Sequence, residues 1–432
     1  MSFFGVPLSG LVASQNQLQS ISNNLANIST DGYKDQNVTF ADLFAGVQGQ
    51  NGSSDPIQTG LGVKTTATTS DFTDGATTST GISSNMAISG TGFFEVQSKG
   101  GTVSYTRAGD FTTNNAGQMV DPSGNLVMGY PAVNGVVQTS AALQPINVGS
   151  GVTIPAVAST LFSLSANLGA SAVVSSVPTP SLSSPVAVFD SLGTEHTLSV
   201  AYTKTSANTW SYQVTIPSAE LTAGATGATT LATGTMNFNT AGILTSVAQT
   251  TPTAVPAGPP GTIAITTGTA NLADGAAPMT VKWNLLDSSG NPTITQTSAA
   301  SATAATSTDG SASGILQKFD IGSDGTVEGT FSSGTIQALG QVALASFTNL
   351  QGLVHIGNND YQSTIGSGLA SVGVAGTGGR GTITGGSVEA SNVNVAAEFA
   401  KMIVAQQAYQ GDAKVVTTFD QISQATIAMI PA

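Results

Sequence analysis

The stretch SNVNVAAEFAKMIVAQQAYQGDAKVVTTFDQISQATIAMIPA, residues 391–432, decides the fold. Asn394 stands where an N-cap side chain accepts from an orphan first-turn N–H. Glu398 follows where a negative charge suits the helix dipole. Val395, Phe399, Met402, Tyr409, Val416, Phe419, Ile422 and Met429 recur at three- and four-residue steps, which puts them on one broad helical face. Gly411 is the internal breaker and Pro431 marks the stop. A helix of this length spans roughly 50 Å, at about 1.5 Å per residue. Its other face carries Gln406, Gln407, Gln410, Gln421 and Gln424 with few charges. That suits packing against neighbouring copies better than bulk water; docking on the chain's own domain is the plain alternative.

The opening residues, MSFFGVPLSGLVASQNQLQSISNNLANISTDGYK, repeat the design. Phe4, Leu11, Leu18 and Leu25 are spaced by seven, with Ile21 and Ile28 at the companion positions. This a/d seam of about four heptads suits a helical partner. Pro7 sits in the first turn, where proline is tolerated. Asn23, Asn24 and Asn27 loosen the end, and Asp31-Gly32 signals a turn. The simplest way to bury both seams is against each other and against other copies. Unpaired seams predict helices that order only on assembly.

Composition narrows the function. Only 8% of 432 residues are charged and the net charge is −13. With ten basic residues scattered along the chain, nucleic-acid binding is excluded as an expectation, since it needs Lys/Arg clusters. Absence of cysteine removes disulfides, thiol catalysis and thiolate metal sites. No apolar run reaches the ~18 residues of a membrane span, so no membrane insertion is expected. The first basic residue is Lys34 and no signal-peptide n-region precedes it. The expectation is a cytoplasmic protein, or one exported without a cleaved signal.

Between the helices the text is β-rich. Residues 31–70 read as a connector followed by a loop. From 71 to about 146, short β-branched and aromatic runs broken by Gly, Asn and Asp predict antiparallel hairpins. Residues 147–313 are more degenerate; SPVAVFDSLGTEHTLSVAYTK and NTWSYQVTI carry most of the order. The Ala/Thr/Gly/Pro stretches 221–235, 251–278 and 297–313 read as long surface loops. The crisper style returns over 314–387, which predicts a discontinuous domain interrupted by an insertion. The fold class expected is α+β and multidomain: paired terminal helices in a coiled coil, spanning 1–30 and 388–432, plus two mainly antiparallel β domains, one inserted in the other.

Several motifs tempt. Gly376 to Gly381 fits GxGxxG, but Thr382-Ile383-Thr384 follows as strand and turn where a dinucleotide site needs a helix, so no cofactor is expected. Asp320, Asp324 and Glu328 lack EF-hand spacing, and Asp324-Gly325 reads as a hairpin turn. His196 beside Glu195 reads as a strand surface residue, and no metal site is expected. Phe93-Phe94 reads as core on one face and interface on the other; Trp210 and Trp283 read as core of the inserted domain.

These segments together resemble the hook proteins of the bacterial flagellar axial family. LSGLVASQNQLQSISNNLANISTDGYKDQNVTFADLF resembles the family's opening motif. GTGFFEV and YTRAGDFTTNNAGQMVDPSGNLVMGY resemble its shared β domain. FDSLGTEHTLSVAYTK with NTWSYQV resembles its hook-specific insertion, and SNVNVAAEFAKMIVAQQAYQGDAKVVTTFDQI its closing helix. Gln407 stands where an Arg is usual, Gly411-Asp412 replaces a more helical pair, and Met119 replaces a Leu. The resemblance implies an inner coiled coil and two β domains at larger radius. It implies a non-enzymatic subunit that polymerises with itself, beneath a hook cap, into a curved tube. That tube is a universal joint touching the distal rod and the hook–filament junction proteins. It further implies unfolded export through the flagellar type III apparatus, hence an extracellular location. A distal rod protein shares both termini but not the 147–313 insertion; a β-rich adhesin or glycan-degrading protein would need clustered carboxylates in a groove. The residues expected to carry polymerisation are Leu11, Leu18, Ile21, Asn23, Asn24 and Leu25 on the first helix and Phe399, Met402, Ile403, Tyr409 and Val416 on the last.

Overall fold

A computed structural model describes residues 5–43, 46–50, 56–149, 151–174, 179–222, 226–268 and 271–429, with backbone only for 46–50 and 56–59. Phe4 and Pro431, the outer ends of the two seams, lie outside the described residues. The chain divides into two units. Unit 1 comprises 1–152, 317–330 and 336–432, and unit 2 comprises 153–316 and 331–335.

Unit 1 holds both long helices, α1 (Gly5–Ala26) and α2 (Val395–Ala428). Ile28, counted in the α1 seam, lies in the turn beyond it. The connector is more ordered than its Gly/Ser/Gln-rich text suggests. Strands Gln36–Asp42 and Val63–Ser70 pair antiparallel alongside α1, and Gly46–Gln50 pairs with Pro56–Thr59 where a loop is expected. Two ribbons then lead into α2: Thr77–Ser79 pairs with Ser387–Glu389, and Met86–Ser89 with Thr382–Gly385.

The β body of unit 1 centres on the strand Ile336–Ser346, which pairs antiparallel with Leu126–Val133, Phe93–Gln97 and Ser371–Val374. Successive strand side chains point to opposite faces, and Phe93-Phe94 shows the consequence. Phe94 packs with Phe111, Met86, Val127 and Leu344 on one side. Phe93 packs with Tyr105, Tyr361, Phe72 and Phe347 on the other. Both rings are buried, so the expected interface face of this pair is a second core. The glycine-rich 376–381 segment is a turn closed by Gly376 N–H to Gly381 O at 2.8 Å, and a strand follows it. Asp324-Gly325 is likewise a turn, with Gly325 at φ +84°.

Unit 2 is two sheets on one core. Leu182–Phe189, Glu195–Ser206, Thr209–Pro217, Ala228–Phe238, Leu244–Thr251 and Val255–Gly258 form an antiparallel meander. The second sheet surrounds Leu161–Gly169, which pairs parallel with Thr280–Asn284 and Ile294–Thr297 and antiparallel with Ala302–Thr308. Trp210 and Trp283 are fully buried in the core between them, as expected, with Tyr202, Tyr212 and Phe162. The stretches expected as loops instead contribute strands Ala228–Phe238, Thr262–Thr266 and Ala302–Thr308. Thr and Ala carry no strong alternation signal; Ala228–Phe238 and Thr262–Thr266 pair with strands next to them in sequence, whereas Ala302–Thr308 pairs with Leu161–Gly169, far back in the chain. His196 is also corrected: it is buried, on the same parity of its strand as Leu198, Val200 and Tyr202.

Candidate functional site

Asn394 caps α2, its Oδ1 accepting from Ala397 N–H at 3.1 Å. The two helices of unit 1 pack antiparallel. Asn24 Nδ2 donates to Glu398 Oε2 at 3.1 Å, while fourteen residues earlier in α1 Gly10 lies against Asp412, fourteen residues later in α2. A Cβ on Gly10 would sit 2.6 Å from the Asp412 carboxylate, so the missing side chain permits that approach. Few side chains are buried along the pair: Ala13, Ser14, Ile21 and Asn24 on α1, and Glu398 and Ala405 on α2.

Polar groups anchor the root of this pair. Asn24 donates to Asp35 and to Gln36 O, and its Oδ1 accepts from Tyr33 OH and Gln36 N–H, each at 3.0 Å. Lys401 donates to Glu398 Oε1 at 2.6 Å and to Asn37 Oδ1 at 2.9 Å. Burial pushes the Tyr33 phenol up to about 12, with Asp35 and Glu398 adding to the rise. Burial likewise raises Asp35, against the pull of Lys401. One turn outside the helices, Glu389 takes Lys34 at 2.6 Å and Arg107 at 3.2 Å, all three being buried. Burial draws Lys34 below the usual ammonium range despite its Glu389 partner. These two clusters tie the exit of α1 to the entrance of α2. A buried charge is tolerated when paired and hydrogen-bonded, and here Asn24–Glu398, Lys34–Glu389 and Lys401–Asn37 join the two ends of the sequence.

The residues expected to carry polymerisation fall into three groups. Ile21 and Asn24 are buried inside the chain, and Asn24 is the one expected residue bonded across to α2. Leu11, Leu18, Leu25, Met402 and Val416 are half-buried. Asn23, Phe399, Ile403 and Tyr409 are exposed, Phe399 at 48% and Ile403 at 56%. Val6, Leu8 and Val12 on α1 and Val404, Val415 and Ile422 on α2 are exposed as well. Large apolar side chains of both helices therefore stay exposed, with the neutral Gln406, Gln407 and Gln410 and the charged Lys414 exposed among them on α2. The residues missed from sequence are Lys34, Arg107, Glu389 and Asn392, whose Oδ1 accepts from Asp35 N–H at 2.8 Å and whose Nδ2 donates to Asp71 O at 2.8 Å. The signal for the charged ones was scarcity: in a chain with ten basic residues, Lys34 and Arg107, like Lys204 in unit 2, are buried.

Two long terminal helices rooted on a β body define a class, and family models identify it. Residues 6–34 match the family described as Flagella basal body rod protein, and 87–167 the Flagellar hook protein FlgE/F/G D1 domain. Residues 175–311 match the Flagellar basal body protein FlaE D2 domain, and 384–429 the Flagellar basal body rod FlgEFG protein C-terminal. Among individual relatives, the flagellar hook protein FlgE of Salmonella typhimurium is 36% identical over 429 residues, covering 97% of this chain and 98% of the relative. That of Escherichia coli is 37% identical over 428 residues with the same coverage, and that of Treponema pallidum 31% identical over 462. The crystal structure of Helicobacter pylori flagellar hook protein FlgE2 shares the fold, with TM-score 0.50 at 16% identity over 71% of this chain and 98% of that one. This chain belongs to the flagellar hook protein family.

Proposed function

We propose that this chain, a structural subunit of the flagellar hook, polymerises by burying the outward apolar stripes of α1 and α2 against neighbouring copies. Leu11, Leu18 and Leu25 with Phe399, Met402, Ile403, Tyr409 and Val416 form that contact surface. Asn23 lies at its rim, and Ile21 and Asn24 hold the helix pair from within. Residues 1–30 and 388–432 then make the inner layer of the curved tube. Residues 31–70 form the connector, 71–146 with 314–387 a middle layer, and 147–313 an outer one. The tube couples rod to filament as a universal joint. Its other partners are the hook cap, the distal rod and the hook–filament junction proteins. Delivery is by the flagellar type III apparatus to the cell exterior.

The observation that carries this reading is the set of large apolar side chains left exposed on the two helices in a chain with so few charges. Scattered exposed apolar residues are ordinary, but a concentration of them on one helix pair marks an interaction surface. Each such side chain contributes about 1.5–3 kcal/mol on full burial. Replacing Phe399→Asp and Ile403→Asp together should raise the critical concentration for assembly by about a hundredfold or more. Circular dichroism and monomer size should not change. Tubes forming normally on negative-stain grids with this variant would overturn the assignment.

A further inference from the structure

Four ionisable side chains meet in unit 2 that the hook function does not use. Asp190 ends the strand Leu182–Phe189, His196 lies in Glu195–Ser206, Glu220 in the short turn Ser218–Glu220, and Asp274 in the loop before Thr280–Asn284. His196 Nδ1 is 2.8 Å from Glu220 Oε2. Its Nε2 is 3.2 Å from Asp190 Oδ2 and 3.9 Å from Asp274 Oδ2.

Each aspartate uses one oxygen to pin its own loop. Asp190 Oδ1 accepts from Leu192 and Thr194 N–H, and Asp274 Oδ1 accepts from Ala276 N–H. Each aims the remaining oxygen at the same imidazole nitrogen. With Nδ1 protonated toward Glu220, the ring takes the arrangement that orients metal-bound histidines through a second carboxylate. Nε2 then presents a lone pair to two carboxylate oxygens, and three acceptors converge on one point. Such a point holds a cation. Asp190 is fully buried and Asp274 and Glu220 are about a quarter exposed. Among the described residues the three carboxylates have no ion-pair partner except His196. Even a protonated imidazole leaves the cluster two charges negative.

We propose that unit 2 carries a divalent-cation site of the zinc class, with His196 Nε2, Asp190 Oδ2 and Asp274 Oδ2 as ligands and Glu220 as a positioning residue. The three ligand atoms lie within 4.8 Å of one another, against an edge of about 3.3 Å for a tetrahedron with ~2.0–2.1 Å bonds. A small closure of the Asp274 loop brings them to bonding distance. An imidazole ligand selects zinc, cobalt or nickel over magnesium or calcium. The exposed side, between Glu220 and Asp274, leaves a fourth position for water. The ion would fasten the 272–276 loop to the 190–196 hairpin.

The test is titration calorimetry of the full-length chain with zinc chloride, together with the visible absorption of added cobalt(II). One zinc should bind per chain, and magnesium or calcium should not displace it. Asp274→Asn, on the exposed side, should weaken binding by about ten- to a hundredfold with an unchanged circular dichroism spectrum. Glu220→Gln should weaken it about tenfold and shift the cobalt band, which a merely structural role would not. Affinity should fall as pH is lowered, because protons compete for the ligands. No stoichiometric zinc binding would overturn the proposal. So would binding that survives Asp274→Asn unchanged, or binding lost in His355→Gln but retained in His196→Gln.

Discussion

Asp360 shows how much one residue decides in a chain this sparsely charged. It is buried beside Asp121, with Asn125 donating to both carboxylates. Burial, then the Asp121 charge, pushes its carboxyl up to about 7. An unfolded aspartate ionises near 4. Between those values the folded state holds more protons than the unfolded one, so the residue's contribution to stability falls as pH rises through that interval. Asp360→Asn removes the titration. The variant should melt higher than the parent at pH 8, and the difference should vanish at pH 4 in a calorimetric series. A pH-independent difference would show that Asp360 is not charged at cost in the folded state.

At the level of elements, the turn after α1 sets where the chain goes next. Gly32 has φ +69°, donates to Glu389 O at 2.7 Å, and lies so close to the 107–108 backbone that a Cβ would come within 2.4 Å of Ala108 N. Gly32→Ala should cost about 2–4 kcal/mol, from left-handed strain and the backbone clash together; urea unfolding followed by tryptophan-independent circular dichroism would measure it. The helix pair makes a graded prediction. Near Asn24 and Glu398 the two helices share buried polar bonds, whereas the antiparallel register puts Gly5 level with residue 417 and α2 runs on to Ala428. Amide hydrogen exchange should find residues 395–405 protected already in the monomer and 422–428 protected only after assembly. Uniform protection of α2 in the monomer would mean that its far end docks without a neighbour.

For the whole molecule, the balance is between apolar attraction and a net charge of −13 per copy. Exposed apolar stripes drive association by a term that weakens on cooling and strengthens with excluded salts. Like charge opposes it and is screened within a Debye length of about 10 Å at 0.1 M salt. Both effects point the same way. The critical concentration for assembly should fall on warming and on adding sulfate, as read by sedimentation of the polymer. Assembly favoured by low salt and cold would point instead to ion pairing between copies.

Much of this was legible in the residues. The cap at Asn394 and the two terminal helices are local patterns, and local patterns survive in one dimension. The inward parity of His196 was legible too, from Leu198, Val200 and Tyr202, though a histidine on a strand was read as surface. What tertiary structure alone decided was which groups meet. Glu398 looked like a helix-dipole residue and is a buried partner of Asn24 and Lys401; Lys34 and Arg107 look like ordinary surface cations and share the buried Glu389. The Thr/Ala strand at 302–308, exposed along most of its length, takes its ladder from Leu161–Gly169, far back in the chain. Periodicity encodes the face that an element buries, but the partner on that face is set by chain segments hundreds of residues away, and no spacing records it.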